Sequence, residues 1–176
     1  KDIYPSKIMG LNTKISFGMG TPTHIPWISV LGPGMLTSNG FFPVYLYYKK
    51  LNILILSYGV SETIKPNKIW SEEIVNSSIK ISSYINKPFR YGDSYVFKTY
   101  VPTIVNNKVN YSDNGNLINH SVLSDHLMEI IGAYKSCLVK KSNNSLKYEE
   151  LGNNFILRKV GSDGVRAGQN EFTKKL

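Results

Sequence analysis

The chain has 176 residues, a formal net charge of +9 and a hydrophobic content of 41%. This length fits one domain with an appendage, and the composition suffices for a core. The positive charge favours a polyanionic partner, although residues 135–176 alone hold nine Lys/Arg against four Asp/Glu. No apolar run approaches the roughly 18 residues of a membrane span. The single cysteine, Cys137, excludes an internal disulfide and fits a reducing, intracellular compartment.

The first half of the chain predicts strands separated by glycine-rich loops. The alternating segments "TKISFG" and "WISVL" predict two strands, and "MGTPTHIP" between them predicts a loop with Met19 at its glycine-flanked tip. A second loop, "GPGMLTSNG", ends in an Asn-Gly turn signal. The segment "FFPVYLYYKK" predicts a third strand with Pro43 at its start or on an edge. It forms a hairpin with the apolar fourth strand "ILILSYGV".

The second half predicts two helices around one further strand. The first helix runs over about 71–85 with Ser71 as its N-cap, and the second over about 121–140. Between them, "KPFRYGDSY" predicts a third loop, "YVFKTYV" a strand, and "NNKVNYSDNGN" a polar, turn-rich connection. We therefore expect an α+β fold: a twisted, largely antiparallel sheet, two main flanking helices, and the loops on one rim. The domain boundaries are 1–141 and 142–176, the latter a linker followed by the start of another domain.

Few residues have the pattern that catalysis requires. No G-x-x-x-x-G-K-[ST] motif is present, which argues against nucleotide hydrolysis. The histidines and Cys137 lack the spacing of a metal site, and a buried, inert thiol explains Cys137 better. Asp93 could act as a general base in a pocket, as could His24, but an aspartate in a glycine loop more often caps its own turn. We expect no catalytic residue and no cofactor in this part of the protein.

Aromatic residues accompany all three glycine loops. Trp27 follows the first, Phe41 and Phe42 end the second, and Tyr91 lies in the third. Aromatic faces stack on unpaired bases, and an apolar residue on a protruding tip can enter a base stack. Met19 has the length and flexibility for that role. Core packing explains each aromatic residue separately, and a protein-interaction surface with aromatic hot spots is a second alternative.

Several segments together resemble a known family of DNA-binding domains. They are "LNTKISFGMGTPTHIPWISVLGPG", "SNGFFPVYLYYKK", "ILILSYGVSETIKP" and "RYGDSY". The chain resembles the N-terminal domain of the McrB family of modification-dependent restriction proteins, from about Leu11 to Tyr95 and more weakly to about Leu138. The family's domain binds DNA that carries a modified cytosine after a purine, and it rotates that base into a protein pocket.

The resemblance implies roles for individual residues. The modified-base pocket is formed by Trp27, Phe42, Leu46 and Tyr91, and Met19 enters the duplex. Leu46 would contact a 5-methyl group. For a domain that reads DNA, we also expect contacts to DNA and its phosphates from Lys14, Thr21, Thr23, His24, Asn39, Lys49, Lys50, Lys87 and Arg90. For each lysine, a solvated surface position is an equally good interpretation.

The sequence departs from the family at two of these positions, because the family pattern has tyrosine in place of Met19 and Phe42. The identity of the modified base therefore stays open among 5-methylcytosine, 5-hydroxymethylcytosine and N4-methylcytosine, and an alternative is a domain that reads unmodified DNA.

The segment "GSDGVRAGQNEFTKKL" resembles the lead-in to HNH nucleases. Because the sequence begins with Lys1, we expect a fragment of a longer, cytoplasmic protein from a bacterium or archaeon. Its nuclease would be an HNH enzyme in cis that uses a divalent metal, or a GTP-dependent McrBC-like system.

Overall fold

The computed structural model describes residues 4–67 and 69–139. The chain divides into two units, and the first ends at Cys137. All features below except Leu138 and Val139 belong to that unit. The predicted boundary at residue 141 and the nuclease-like segment lie outside the described residues.

Within the described residues, eight strands form one antiparallel meander in which every strand pairs with its neighbours in the sequence. The order follows from the short connections, since consecutive antiparallel strands need only a tight turn. The strands are β1 (Lys7–Ile8), β2 (Leu11–Met19), β3 (Thr21–Leu31), β4 (Phe41–Tyr48), β5 (Ile53–Val60), β6 (Tyr95–Val105), β7 (Lys108–Asp113) and β8 (Asn116–Ile118). This sheet, together with the helices, confirms the α+β class.

The helices differ from the prediction in one respect. The predicted helix over 71–85 begins as expected, with the Ser71 hydroxyl accepting from the Ile74 N–H at 3.5 Å. It then breaks into α1 (Glu72–Ser77) and α2 (Ile81–Tyr84). The prediction of one continuous helix is wrong because Ser78 adopts extended backbone and Lys80 pairs with Tyr95 of β6. The later helix, α3, spans residues 120–139 and is confirmed.

Two segments predicted as loops are strands. The predicted loop "MGTPTHIP" is wrong because Met19 pairs with Thr21 across a tight turn at Gly20, so β2 and β3 run almost to the tip. Gly18 is required there, because an added Cβ would lie 2.0 Å from the carbonyl oxygen of Thr21. The polar connection after β6 forms β7 and β8, joined by the Asn114–Gly115 turn, in which both residues have positive φ. An Asn-Gly pair is the strongest short hairpin signal.

Alternation along β4 separates the two faces of the sheet. On the first face, Phe41 packs against Trp70 and Tyr134, with ring centroids 5.3 and 5.4 Å apart. The Tyr134 hydroxyl of α3 also accepts a hydrogen bond from the Gly32 N–H at 2.9 Å. These contacts fix α3 against that face.

The opposite face of β4 presents Phe42, Val44, Leu46 and Tyr48, as the alternating pattern predicts. The segment 85–94, between α2 and β6, crosses this face, and the Tyr48 hydroxyl donates to the Arg90 carbonyl oxygen at 2.9 Å. The site described below lies under this loop. In the part of the chain that the structure describes, no helix has both the length and the apolar character needed to span a membrane.

Candidate functional site

A cavity of about 240 Å³ lies between the sheet and the 85–94 loop. Trp27, Phe42 and Tyr91, which come from β3, β4 and the loop, all line it. Trp27 pairs with Leu46, and Phe42 lies on the same face of β4 as Leu46, so the pleat of the sheet directs these side chains to one side. The structure thus brings together three of the residues that the sequence analysis assigned to a pocket.

Leu46, the fourth predicted pocket residue, is placed differently. It is directly opposite Trp27 but is 0% exposed and is not among the residues that line the cavity. The aliphatic side chains that do line it are Val44, one alternation along β4, and Val60 at the end of β5. Contact between Leu46 and a methyl group stays a prediction.

Tyr91 has an unusual backbone conformation that its neighbours stabilise. Its φ is 66°, in the left-handed region that non-glycine residues rarely adopt. The Glu62 carboxylate accepts a hydrogen bond from the Tyr91 backbone N–H and another from Arg90 Nε at 3.3 Å. The Arg90 guanidinium also lies 4.9 Å from the centre of the Tyr91 ring. Glu62 and Arg90 therefore hold the Tyr91 ring as a pre-positioned wall of the cavity.

The hydroxyl of Tyr91 is protonated at neutral pH. Burial raises the pKa of Tyr91, the nearby Arg90 charge lowers it, the Glu62 carboxylate raises it, and a side-chain hydrogen bond with Trp27 lowers it. The net pKa is above the ordinary value. The two aromatic walls therefore lie near each other in the lining of the cavity.

Two features keep the cavity open and polar at one end. An added Cβ at Gly59 would lie 2.6 Å from the Phe42 carbonyl oxygen, so a side chain does not fit at this point of the lining. Ser61 also lines the cavity, is 5% exposed, and its hydroxyl has no hydrogen-bond partner among the described residues. A buried polar atom without a partner is rare and requires an explanation.

The predicted DNA contacts lie mostly on exposed surface, and several already have internal partners. Lys14 Nζ donates to Thr37 Oγ1 at 3.5 Å, and Lys49 Nζ donates to the Thr23 carbonyl oxygen at 2.8 Å.

The other predicted DNA contacts lie in the loops and near the hairpin tip. Asn39 belongs to the loop before β4, where its backbone forms isolated β-bridges with Leu36 and Ile64. Thr21 and His24 are exposed on β3 near the hairpin tip, and Lys87 is exposed in the 85–94 loop. Met19 ends β2 at that tip.

The catalytic candidates do not lie in the cavity. Asp93 forms an ion pair with Lys80 at 2.9 Å, and His24 packs edge-on against Phe89 with ring centroids 5.7 Å apart. Neither residue lines the cavity. Cys137 is a free, half-buried thiol. Within residues 4–67 and 69–139, no three His, Cys, Asp or Glu side chains are grouped as a metal site.

Comparison with known proteins places this chain in a family. The model of the family "MrcB-like, N-terminal domain" matches residues 4–139. The chain belongs to this family. A similar protein is the type IV methyl-directed restriction enzyme EcoKMcrB subunit of Escherichia coli K12, which is 41% identical over 99 residues. The match covers 52% of this chain and 21% of the relative, so the chain spans about a fifth of the length of that protein.

Sequence reasoning missed several lining residues. Glu62 and Ser61 follow directly after β5, where a carboxylate and a hydroxyl carry no pattern that distinguishes them from solvated residues. Val44 and Gly59 were interpreted only as strand residues. For Val44 a signal was available, because it shares the face of Phe42 and Leu46 by simple alternation.

Proposed function

We propose that this domain is the DNA-binding specificity module of a restriction system, and that it binds double-stranded DNA by rotating a modified cytosine into the cavity between Trp27 and Tyr91. The observation that carries this proposal is the shared cavity, because residues far apart in the sequence place aromatic rings around one hollow. Family membership supports the DNA-binding role. The description of the Escherichia coli relative as methyl-directed supports a modified base.

The size and lining of the cavity suit one nucleobase. Drug-sized ligands occupy about 300–1,000 Å³, and this hollow of about 240 Å³ is smaller. Base-flipping proteins stack the extruded base between aromatic or apolar side chains and hydrogen-bond its edge. Trp27, Phe42 and Tyr91 offer the aromatic surfaces.

Polar groups at the cavity favour cytosine. A carboxylate accepts from the exocyclic amine of cytosine, and Glu62 lines the hollow. The unpaired hydroxyl of Ser61 supplies another group that a base edge would satisfy. Glu62 is already used by Arg90 and Tyr91, but a carboxylate can accept more than two hydrogen bonds.

The aliphatic residues provide only part of the selectivity. Burying one methyl group against Val44 or Leu46 contributes about 0.8 kcal/mol, or about fourfold in affinity. The remainder comes from the lower cost of extruding a favoured base and from the hydrogen bonds to its edge. Met19 at the hairpin tip would enter the gap left in the duplex.

Cleavage belongs to another part of the parent system in this proposal. That effector is either an HNH nuclease in cis that uses a divalent metal, or a GTP-dependent McrBC-like assembly. The domain needs no cofactor of its own to bind the base. It acts in the cytoplasm of a bacterium or archaeon.

A binding panel tests the proposal. The full chain is titrated with duplexes that differ only in one cytosine, which is unmodified or carries a 5-methyl, 5-hydroxymethyl or N4-methyl group. We expect tighter binding to at least one modified duplex, and loss of that preference in Trp27→Ala. Tyr84→Ala, which removes an exposed ring from α2, is the control and keeps the preference. Equal affinity for all duplexes indicates a reader of unmodified DNA, and negligible binding to every duplex indicates a protein-interaction module.

A further inference from the structure

A second hollow, of about 360 Å³, lies on the same face of the sheet as the base cavity. Ile25 lines it and is two residues from Trp27 on β3, and Tyr48 lines it and is two residues from Leu46 on β4. Residues two apart on a strand share a face. The two hollows are therefore neighbours along β3 and β4.

The 85–94 loop contributes an aromatic ring to each hollow. Tyr91 lines the base cavity, and Phe89 lines the second hollow. Phe89 is 77% exposed, so its position is not explained by burial in the core. His24 also lines the second hollow. Its ring packs edge-on against Phe89, with the ring centroids 5.7 Å apart and the ring planes at 70°.

Positive charge surrounds this second hollow. Lys49, Lys50 and Lys87 line it, and no carboxylate is among its lining residues. Lys49 is held by the Thr23 carbonyl oxygen at 2.8 Å. Across residues 4–67 and 69–139, neither Lys50 nor Lys87 forms an ion pair. An exposed ring bordered by uncompensated lysines combines the two groups that bind a single-stranded nucleotide, a stacking surface and phosphate-directed charge.

We propose that the second hollow is a nucleotide subsite that holds the DNA residue next to the extruded base on the same strand. Phe89 stacks on that neighbouring base where the distorted strand turns it towards the hollow, while Lys50 and Lys87 contact the flanking phosphates. The subsite rests on the proposed function, because it needs a distorted strand. It deepens that function by assigning flanking-base contact to a surface separate from the modified-base cavity.

The first test removes the ring of Phe89. The full chain and its Phe89→Ala variant are titrated with a modified duplex that carries 2-aminopurine next to the modified cytosine. We expect Phe89→Ala to weaken binding about tenfold and to brighten the bound 2-aminopurine, because the stacked ring that quenches it is gone. The ratio of affinities for modified and unmodified duplex stays as in the wild type. Leu117→Ala, which truncates a 74% exposed side chain on β8, changes neither quantity.

The second test removes the charges. Lys50→Gln combined with Lys87→Gln lowers the slope of log affinity against log salt by about two, because each phosphate contact contributes about one. Lys108→Gln, an exposed lysine on β7, leaves the slope unchanged.

The outcomes separate the two proposals. If Phe89→Ala binds and fluoresces as the wild type does, the subsite is wrong, whereas the Trp27→Ala experiment still decides the base cavity. If wild-type protein binds no duplex, the proposed function itself fails. A Phe89→Ala variant that binds more weakly but leaves the 2-aminopurine signal unchanged also contradicts stacking at this position.

Discussion

Phe41 and Phe42 are adjacent in the sequence but belong to aromatic clusters of opposite character. Phe41 faces α3, where its ring contacts those of Trp70 and Tyr134 at 5.3 and 5.4 Å, and those two rings also contact each other at 5.4 Å. Phe42 faces the other way, where it joins Trp27 and Tyr91 around an open hollow. The first cluster stabilises the fold, and the second leaves ring surfaces available to a ligand. Composition alone therefore does not separate the aromatic residues of the packed core from those that line the hollow, whereas the face of the strand does.

The largest expected effect concerns the closed cluster, which is formed by Phe41, Trp70 and Tyr134. Trp70 is 3% exposed and donates from Nε1 to the Gly59 carbonyl oxygen at 3.0 Å. Trp70→Ala removes this packing and the hydrogen bond, so we expect the free energy of unfolding to fall by about 3–5 kcal/mol. Urea denaturation followed by circular dichroism measures the change. A loss below about 1 kcal/mol would show that this cluster is not the structural one.

The next effect concerns the open cluster, which is formed by Phe42, Trp27 and Tyr91 around the hollow. Tyr91→Ala removes one wall of the hollow, so we expect affinity for modified DNA to fall by about 1–3 kcal/mol, as when one stacking ring is lost. The free energy of unfolding changes by less than about 1 kcal/mol, because Tyr91 is only half-buried. Isothermal titration and urea denaturation of the same variant measure both quantities. A variant that unfolds but binds normally when folded would reverse the roles of the two clusters.

A smaller effect concerns the hydroxyl of Tyr134 in the closed cluster. Burial raises the pKa of Tyr134 from 10.0 to about 12, while the hydrogen bond from Gly32 opposes that shift. The neutral side chain therefore stabilises the folded state fully below pH 10, and this stabilisation is lost as the pH rises towards 12. Tyr134→Phe leaves the Gly32 N–H without its partner, so stability at pH 7 falls by about 1 kcal/mol.

Stability measured between pH 9 and 11.5 checks the sign of this contribution. We expect Tyr134→Phe to decline less steeply with pH than the wild type. A variant with the same alkaline decline as the wild type would exclude Tyr134 as a contributor.

The smallest effect has opposite signs for stability and binding. Ser61→Ala removes a buried hydroxyl that has no partner among the described residues, so we expect the free protein to become more stable by up to about 1 kcal/mol. The same variant binds modified DNA more weakly if that hydroxyl contacts the base edge. Thermal unfolding and DNA titration measure the two changes. Ser61→Ala that strengthens binding would contradict a polar contact at this end of the cavity.

The sequence predicted the fold best where apolar residues recur with a clear period. The two faces of β4 and the hairpin with β5 follow from period-two patterning, and α3 follows from its apolar stripe. The break between α1 and α2 could not be predicted, because it depends on Lys80 pairing with Tyr95, a contact between distant segments. Strands β7 and β8 were missed because their residues are polar, although the Asn114–Gly115 turn signalled a hairpin.

The site was predictable in part for the same reason. Trp27, Phe42 and Tyr91 were identified because aromatic residues beside glycine loops stand out, and the family resemblance supplied their grouping. The support for Tyr91 from Glu62 was not predictable, since the two residues meet only after the 85–94 loop crosses the sheet. Phe89 was overlooked because one exposed ring has no meaning until its neighbours are known.

Fluorescence of Trp27 tests the central claim most directly. The chain has two tryptophans, so Trp70→Phe leaves Trp27 as the sole indole, and circular dichroism verifies that this variant folds. The account predicts that a duplex with a modified cytosine quenches Trp27 saturably, and that the same duplex without the modification does so far less at equal occupancy. Tight binding of the modified duplex with no change in Trp27 emission would contradict a base stacked in this cavity.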